Sequence, residues 1–194
     1  MPALDVGAVI NGRTNLAGAV TRHDASGLVV LAGPSGSGAL SSLAPASLAL
    51  LLTQLRAQTL DYDAVVLDLS AGIERAVRRI AASSDLLLVV ATDEPTSLTD
   101  AYAVMKLHTA DRPDGDMRIV INRARSPASG QQTYETLRRA CSAFLHREPP
   151  LAGIIRDDPK VRDTIRHQEP LLYRHPGSPA AHDVETIAEA LFQK

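Results

Sequence analysis

The stretch Leu86-Leu-Leu-Val-Val-Ala91-Thr-Asp-Glu-Pro-Thr-Ser97-Leu-Thr-Asp100 changes its period in the middle. Its first six residues are apolar without alternation, the pattern of a strand buried on both faces. After the polar break, Ser97 with Asp100 three residues on predicts a capping-box-like helix start. Ala101, Val104, Met105 and His108 then continue along one side of that helix. The same alternation recurs to either side. Leu28–Ala32, Ala64–Leu67, Ile119–Ile121 and Leu151–Ile155 are further short apolar runs, and helical periods lie at 43–58, 73–82, 131–145, 159–168 and 182–192. Strands alternating with helices predict βαβ units. The expected fold is α/β, a three-layer sandwich with a mostly parallel sheet. No repeat or linker divides residues 1–194, so one domain is expected.

The composition suits such a fold: 45% hydrophobic and 22% charged residues in 194. Aromatics are only 3%, so an aliphatic core is expected, and aromatic stacking of single-stranded nucleic acid is not expected as the main activity. Charge is uneven. Residues 1–117 carry 8 Lys/Arg against 13 Asp/Glu, whereas 118–174 carry 11 against 6. The later region is either a face for an anion or an ordinary solvated surface. Cys141 is the single cysteine, which excludes an intrachain disulfide and fits a reducing cytoplasm. No apolar run reaches the ~18–20 residues of a membrane span, and Met1–Gly12 lacks a signal-peptide pattern. The six histidines have no metal-binding spacing, and no serine sits in a G-x-S-x-G elbow. The last helical period carries Glu185 and Glu189 rather than a basic polar face, so it reads as core packing, not a membrane helix.

Ligands of parallel sheets bind at the carboxyl ends of the strands. Gly33–Gly38 follows a strand and looks like a phosphate loop, but Ala39-Leu40 stand where a P-loop has Lys and Ser/Thr. No Gly-Lys pair occurs anywhere in these 194 residues, and a flexible connector is the better reading. Asp68 ends the Ala64–Leu67 run, where a carboxylate needs a partner. A hydrated Mg²⁺ and a capped turn are both open readings. Ala71-Gly72-Ile73-Glu74 follows, and a glycine there lets a backbone N–H approach a phosphate.

Asp68-Leu-Ser-Ala-Gly-Ile-Glu74 resembles the D-(S/T)-x-A-G-I-E segment of the MinD/ParA ATPases. Thr92-Asp-Glu-Pro-Thr-Ser-Leu-Thr-Asp-Ala-Tyr102 is similar to the T-P-E-P-T-S-L-T-D-A-Y stretch of the MinD-like flagellar number regulators of the FlhG type. Val120-Ile-Asn-Arg123 resembles their V-V-N-R. Gly153 to Arg162 resembles G-Y-I-P-x-D-P-x-V-R, and Ser178-Pro-Ala-Ala181 a late S-P-A-A. The resemblance implies ATP and Mg²⁺ as cofactors and a P-loop NTPase fold. It implies that Asp68 binds the Mg²⁺ water shell and that Gly72 faces the γ-phosphate. Asn122 would hydrogen-bond adenine, Arg123 would flank the base or ribose, and Asp158 with Pro159 would close the adenine side. Arg123 as a surface cation and Asp158-Pro159 as a simple helix start stay open beside these.

The departures define the rest of the expectation. The family's opening strand, K-G-G-x-G-K-(S/T) loop and second strand ending in D-A-D do not occur here. Met1-Pro-Ala-Leu-Asp-Val6 resembles the N-L-D-V stretch that follows them, so the fold is expected to lack its first strands, about a fifth to a quarter of a family domain. Leu69 replaces a hydroxyl residue, and Arg156 replaces a proline. The implied function is a MinD/FlhG-like nucleotide-switch ATPase governing flagella or division, inactive alone without the P-loop lysines. A non-catalytic partner-binding relative and an ATP-dependent ligase or amidotransferase of the same fold are the alternatives. The resemblance implies a homodimer or self-association, a flagellar or division protein as partner, and peripheral membrane contact as in the family; DNA is not expected.

Overall fold

The computed structural model describes residues 5–23, 26–33 and 44–192. The chain divides into two compact units, Met1–Ser83 and Ser84–Lys194.

In the first unit, Asp5 caps α1 (Val6–Ile10) by accepting from the Ala8 N–H at 2.8 Å, and Asn15 caps α2 (Leu16–Ala19) through the Gly18 N–H at 2.8 Å. Strands β1 (Val20–Arg22) and β2 (Val29–Leu31) pair antiparallel, with Thr21 opposite Val30. Helix α3 (Pro45–Gln58), a 3₁₀ turn (Thr59–Asp61) and helix α4 (Arg75–Ser83) follow. Val6, Val9, Leu16, Ala19 and Leu51 form one apolar cluster, and Leu48, Ala76 and Ile80 a second.

Two expectations fail in this unit. The Leu28–Ala32 run is not a parallel buried strand; it gives half of a short antiparallel pair with Leu28 and Val30 exposed. Ala64–Leu67 is not a strand at all: among the described residues none pairs with it, and Val66 is 84% exposed. Leu67 and Leu69 turn inward against the Leu48 cluster while Asp68 between them faces out. The segment keeps the period-2 alternation of extended chain without a neighbour on which to build a ladder. The Gly33–Gly38 loop lies outside the described residues beyond Gly33.

The second unit carries the parallel sheet. Strands β3 (Leu86–Ala91), β4 (Asp116–Ala124) and β5 (Leu151–Arg156) lie side by side in that order, all parallel. Helices α5 (Pro95–Asp111) and α6 (Pro127–Leu145) join them; α7 (Pro159–His167), α8 (Leu171–Arg174) and α9 (Pro179–Phe192) complete the unit. Gly130 of α6 meets Ile154, whereas Ile187 of α9 meets Gly153. Successive residues of a strand point to opposite faces, so α6 and α9 cover opposite faces of β5. That is the predicted three-layer arrangement. An added Cβ at Gly130 or Gly153 would lie 2.5 or 2.3 Å from those isoleucines, so glycine sets how closely each helix approaches. The core runs through Val89, Ala91, Met105, Ile119, Ile121, Leu137 and Cys141.

Boundaries shift for local reasons. Helix α5 starts at Pro95 after an N-cap at Glu94, not at Ser97; the Ser97 hydroxyl instead accepts from the Thr92 N–H at 3.0 Å and ties down the turn. Helix α6 starts four residues before the predicted 131, because Ser126 and Ser129 form a reciprocal capping box. β3 is buried only on the α5 side: Val90 is 57% exposed. Among the described residues no helix is long and apolar enough to cross a membrane.

Candidate functional site

Three strand ends stand side by side in the second unit: Thr92–Glu94 after β3, Asn122–Arg125 at the end of β4, and Arg156–Pro159 at the end of β5. The middle one is irregular. Ile121 pairs with Ile154 and Ala124 with Arg156, so Asn122 and Arg123 together oppose Ile155 alone. This is a β-bulge, uncommon in parallel pairs and frequent beside active sites. Arg123 takes φ 56°, the left-handed region, which costs a non-glycine residue of order 1–3 kcal/mol and marks sites where geometry matters more than comfort. The Asn122 Oδ1 accepts the Arg123 N–H at 2.9 Å. That bond orients the carboxamide, whose NH₂ donates to none of the described residues. The bulge also carries the Arg123 guanidinium to 3.6 Å from the Glu94 carboxylate across the two strand ends.

If the strain is local, Arg123→Gly should leave the protein at least as stable as the parent and gain about 1 kcal/mol, whereas Arg123→Ala should not. Urea midpoints of the three proteins decide it; a glycine variant clearly less stable than the alanine variant would mean the side chain, not the backbone, holds the bulge.

Asp158 behaves differently. It is 6% exposed and caps α7, accepting from the Lys160 N–H at 2.8 Å, while its other oxygen accepts from the Ala180 N–H of α9 at 3.2 Å. Burial pushes its carboxyl upward, but these two N–H groups and the Ser178 hydroxyl outweigh that and hold it below the ordinary value. Pro159 fills the first helical position of α7, where a missing N–H costs nothing. The geometry therefore gives Asp158 a capping role at two helix starts. Next to it, Arg156 forms a two-pronged ion pair with Asp183 of α9, with N···O distances of 2.8 and 2.7 Å. Glu94, Arg156 and Asp183 were not singled out as site residues from sequence. The only hint for Arg156 was its departure from the family proline.

Asp68 and Gly72 belong to the first unit. Asp68 is exposed at the outward position of the unpaired extended segment. Gly72 has φ 131°, accessible to glycine, and the Glu74 carboxylate folds against it, 2.4 Å from where a Cβ would stand. A lone outward carboxylate suits a cation that keeps its own water shell, as Mg²⁺ does. Among the described residues no group of three or more His, Cys, Asp or Glu is gathered as for a directly ligated ion.

Residues 37–191 match the family model described as Cellulose biosynthesis protein BcsQ. The chain is 29% identical over 188 residues to the Antiactivator FleN of Pseudomonas aeruginosa, covering 97% of this chain and 67% of FleN. It is 27% identical over 137 residues to the Flagellum site-determining protein YlxH of Helicobacter pylori, covering 70% of this chain and 45% of YlxH. Thus it spans about two thirds of the one relative and under half of the other. Among solved structures, the MinD cell division protein of Aquifex aeolicus superposes with a TM-score of 0.77 at 20% identity, over 99% of this chain and 75% of that one. The septum site-determining protein MinD of Pyrococcus horikoshii, solved as a complex with Mg-ADP, gives a TM-score of 0.74 at 21% identity, over 97% of this chain and 73% of that one. These likenesses establish the α/β P-loop NTPase fold.

Proposed function

This chain belongs to the ParA/MinD-type ATPase family through its match to the BcsQ family model, and from that premise we propose that it is part of a nucleotide-operated regulator of flagellar or division placement. The observation that carries the reading is the strained Asn122–Arg123 bulge, which presents an oriented amide and a cation at the strand ends where sheets of this kind bind ligands. In this reading the Asn122 amide meets the adenine edge and Arg123 flanks base or ribose. Asp158 and Pro159 shape the loop on the base side, Gly72 admits the terminal phosphate, and Asp68 faces the Mg²⁺ water shell. When bound, Mg²⁺ neutralises phosphate charge. Glu74 lies over Gly72 and would have to turn aside for an anion to approach. A cytoplasmic homodimer with a flagellar or division protein as partner goes with this reading. The flagellar branch is favoured by Thr92–Tyr102, the longest motif quoted above, and by likeness to YlxH, whose name is that of a flagellum site-determining protein.

Within these 194 residues there is no Gly-Lys pair to grip the phosphates. The 194-residue chain is therefore expected to bind ATP·Mg²⁺ far more weakly than micromolar. Calorimetry giving micromolar affinity, abolished by Asp68→Ala, would overturn that expectation. The base site is tested separately by photolabelling with 8-azido-ATP at millimolar concentration, which captures weak complexes. Label should appear within 121–125 and 156–160 and fall in Asn122→Ala, since each base hydrogen bond is worth a net ~0.5–1.5 kcal/mol. Label confined to other peptides would sink the reading.

A further inference from the structure

We propose that Arg156 and Asp183 are positioning residues that tie the base-side loop, 157–159, to the seating of α9, an inference that rests on reading this loop as part of the nucleotide site. Arg156 binds the first turns of α9 in four ways. Its backbone N–H and its Nε donate to the Asp183 Oδ2 at 2.9 and 2.8 Å, and its Nη2 donates to the Asp183 Oδ1 at 2.7 Å and to the Pro179 carbonyl at 3.1 Å. Two residues later, Asp158 accepts from the Ala180 N–H. The loop is thus bound to one helix start through Arg156 just before it and Asp158 within it.

That helix start is itself fixed. Ala180 and Ala181 are fully buried, the Ser178 hydroxyl accepts the Ala181 N–H at 3.2 Å, and Ile187 sits against Gly153 on β5. The Asp183 side chain is only 14% exposed and that of Arg156 35%. Charge-assisted bonds held in so partly desolvated a place are stronger than an open surface pair. The Ser178-Pro-Ala-Ala181 motif gains a physical purpose: its serine and small residues let α9 start close enough for the Ala180 N–H to reach Asp158. A proline at 156 could make none of the four Arg156 bonds, because it has neither an N–H nor a guanidinium. The brace is accordingly a property of this chain's own arginine. Whatever lifts the start of α9 from β5 also frees the loop.

Hydrogen–deuterium exchange on the 194-residue chain tests the brace. Asp183→Asn should speed exchange in 156–162 about tenfold, the scale of losing charge-assisted bonds, while 86–91 and 116–121 stay protected and so report an intact sheet. The charge-reversed pair Arg156→Asp with Asp183→Arg should restore much of the protection, which a merely space-filling role would not. Photolabelling of 157–159 by 8-azido-ATP should fall in Asp183→Asn and recover in the reversed pair. Unchanged exchange in 156–162, or no rescue, overturns the brace. Faster exchange with unaltered labelling overturns the positioning role and leaves the base site standing. Absence of label at 121–125 and 156–160 in the parent protein overturns the nucleotide reading, and the positioning role with it, whatever the exchange shows.

Discussion

Asp158→Ala should lower the unfolding free energy by about 3–5 kcal/mol, the largest loss expected from a single polar substitution in this chain. Its carboxylate serves two helix starts at once: the Lys160 N–H of α7 and the Ala180 N–H of α9. Removing it strands the Ala180 N–H where Ala180 has no exposure to water, and each buried donor left unsatisfied costs ~1–3 kcal/mol. The charge also faces the positive ends of both helices, a further ~0.3–1 kcal/mol each. Asp158→Asn retains one acceptor oxygen but turns an NH₂ toward the other donor, so it should recover only part of the loss. The pH dependence has a definite sign. The folded-state carboxyl lies below its ordinary value, so its stabilisation is present above the ordinary carboxylate range and disappears as pH falls through the folded value. Urea denaturation of the three proteins at pH 7 checks the ranking. A variant within ~1 kcal/mol of the parent would mean that the Asp158 carboxylate is not what holds the starts of α7 and α9.

Asp158 also illustrates what sequence could and could not supply. Asp158-Pro159 reads as a helix start from local chemistry, and the structure gives that role directly. That the same carboxylate reaches α9, twenty-two residues later, depends on a contact no window of sequence contains. The β3–α5 and β4–α6 units were readable because their apolar runs sit between partners on a real sheet. Ala64–Leu67 has the same composition and forms no strand, since a run apolar on both faces is only a strand when neighbours pair with it. Composition reports the demand for burial and not whether it is met. At the candidate site, Asn122 and Arg123 were identified by resemblance, but the bulge that distinguishes them was not. A left-handed residue in a strand is invisible when the residue is arginine rather than glycine. Glu94 lies inside a motif that reads as a family mark and carries no local signal of its own. The sequence held no sign that two adjacent strand ends bring it to Arg123.

The opposite end of the same sheet carries the second large effect, and there a substitution should stabilise. His108, in the last turn of α5, is 4% exposed, and neither ring nitrogen has a hydrogen-bond partner among the described residues. The turn from α5 to β4 closes over it: a Cβ on Gly115 would lie 2.8 Å from the His108 Nε2. Arg147 pins that turn by donating to the Pro113 and Gly115 carbonyls at 2.8 and 2.9 Å, and Arg112 donates to the Ser84 carbonyl. Burial lowers the His108 pKa first, the Arg112 and Arg147 cations lower it further, and Asp111 opposes them. The folded protein therefore holds a neutral imidazole with unsatisfied polar atoms. His108→Leu, of similar size, should raise stability at pH 7.5 by about 1–3 kcal/mol, because it removes polar groups that burial leaves unpaired. Acid should widen the gap. The unfolded chain takes up a proton near pH 6.5 while the folded imidazole does so only at lower pH. The contribution of His108 is thus fully retained above 6.5 and lost as pH falls toward the folded value. Urea titrations of the parent and of His108→Leu at pH 7.5 and 5.5 make the comparison, and the remaining five histidines cancel in the difference. A leucine variant less stable than the parent at both values, with an equal acid loss, would show that the imidazole is bonded in solution and belongs to the packing of the turn.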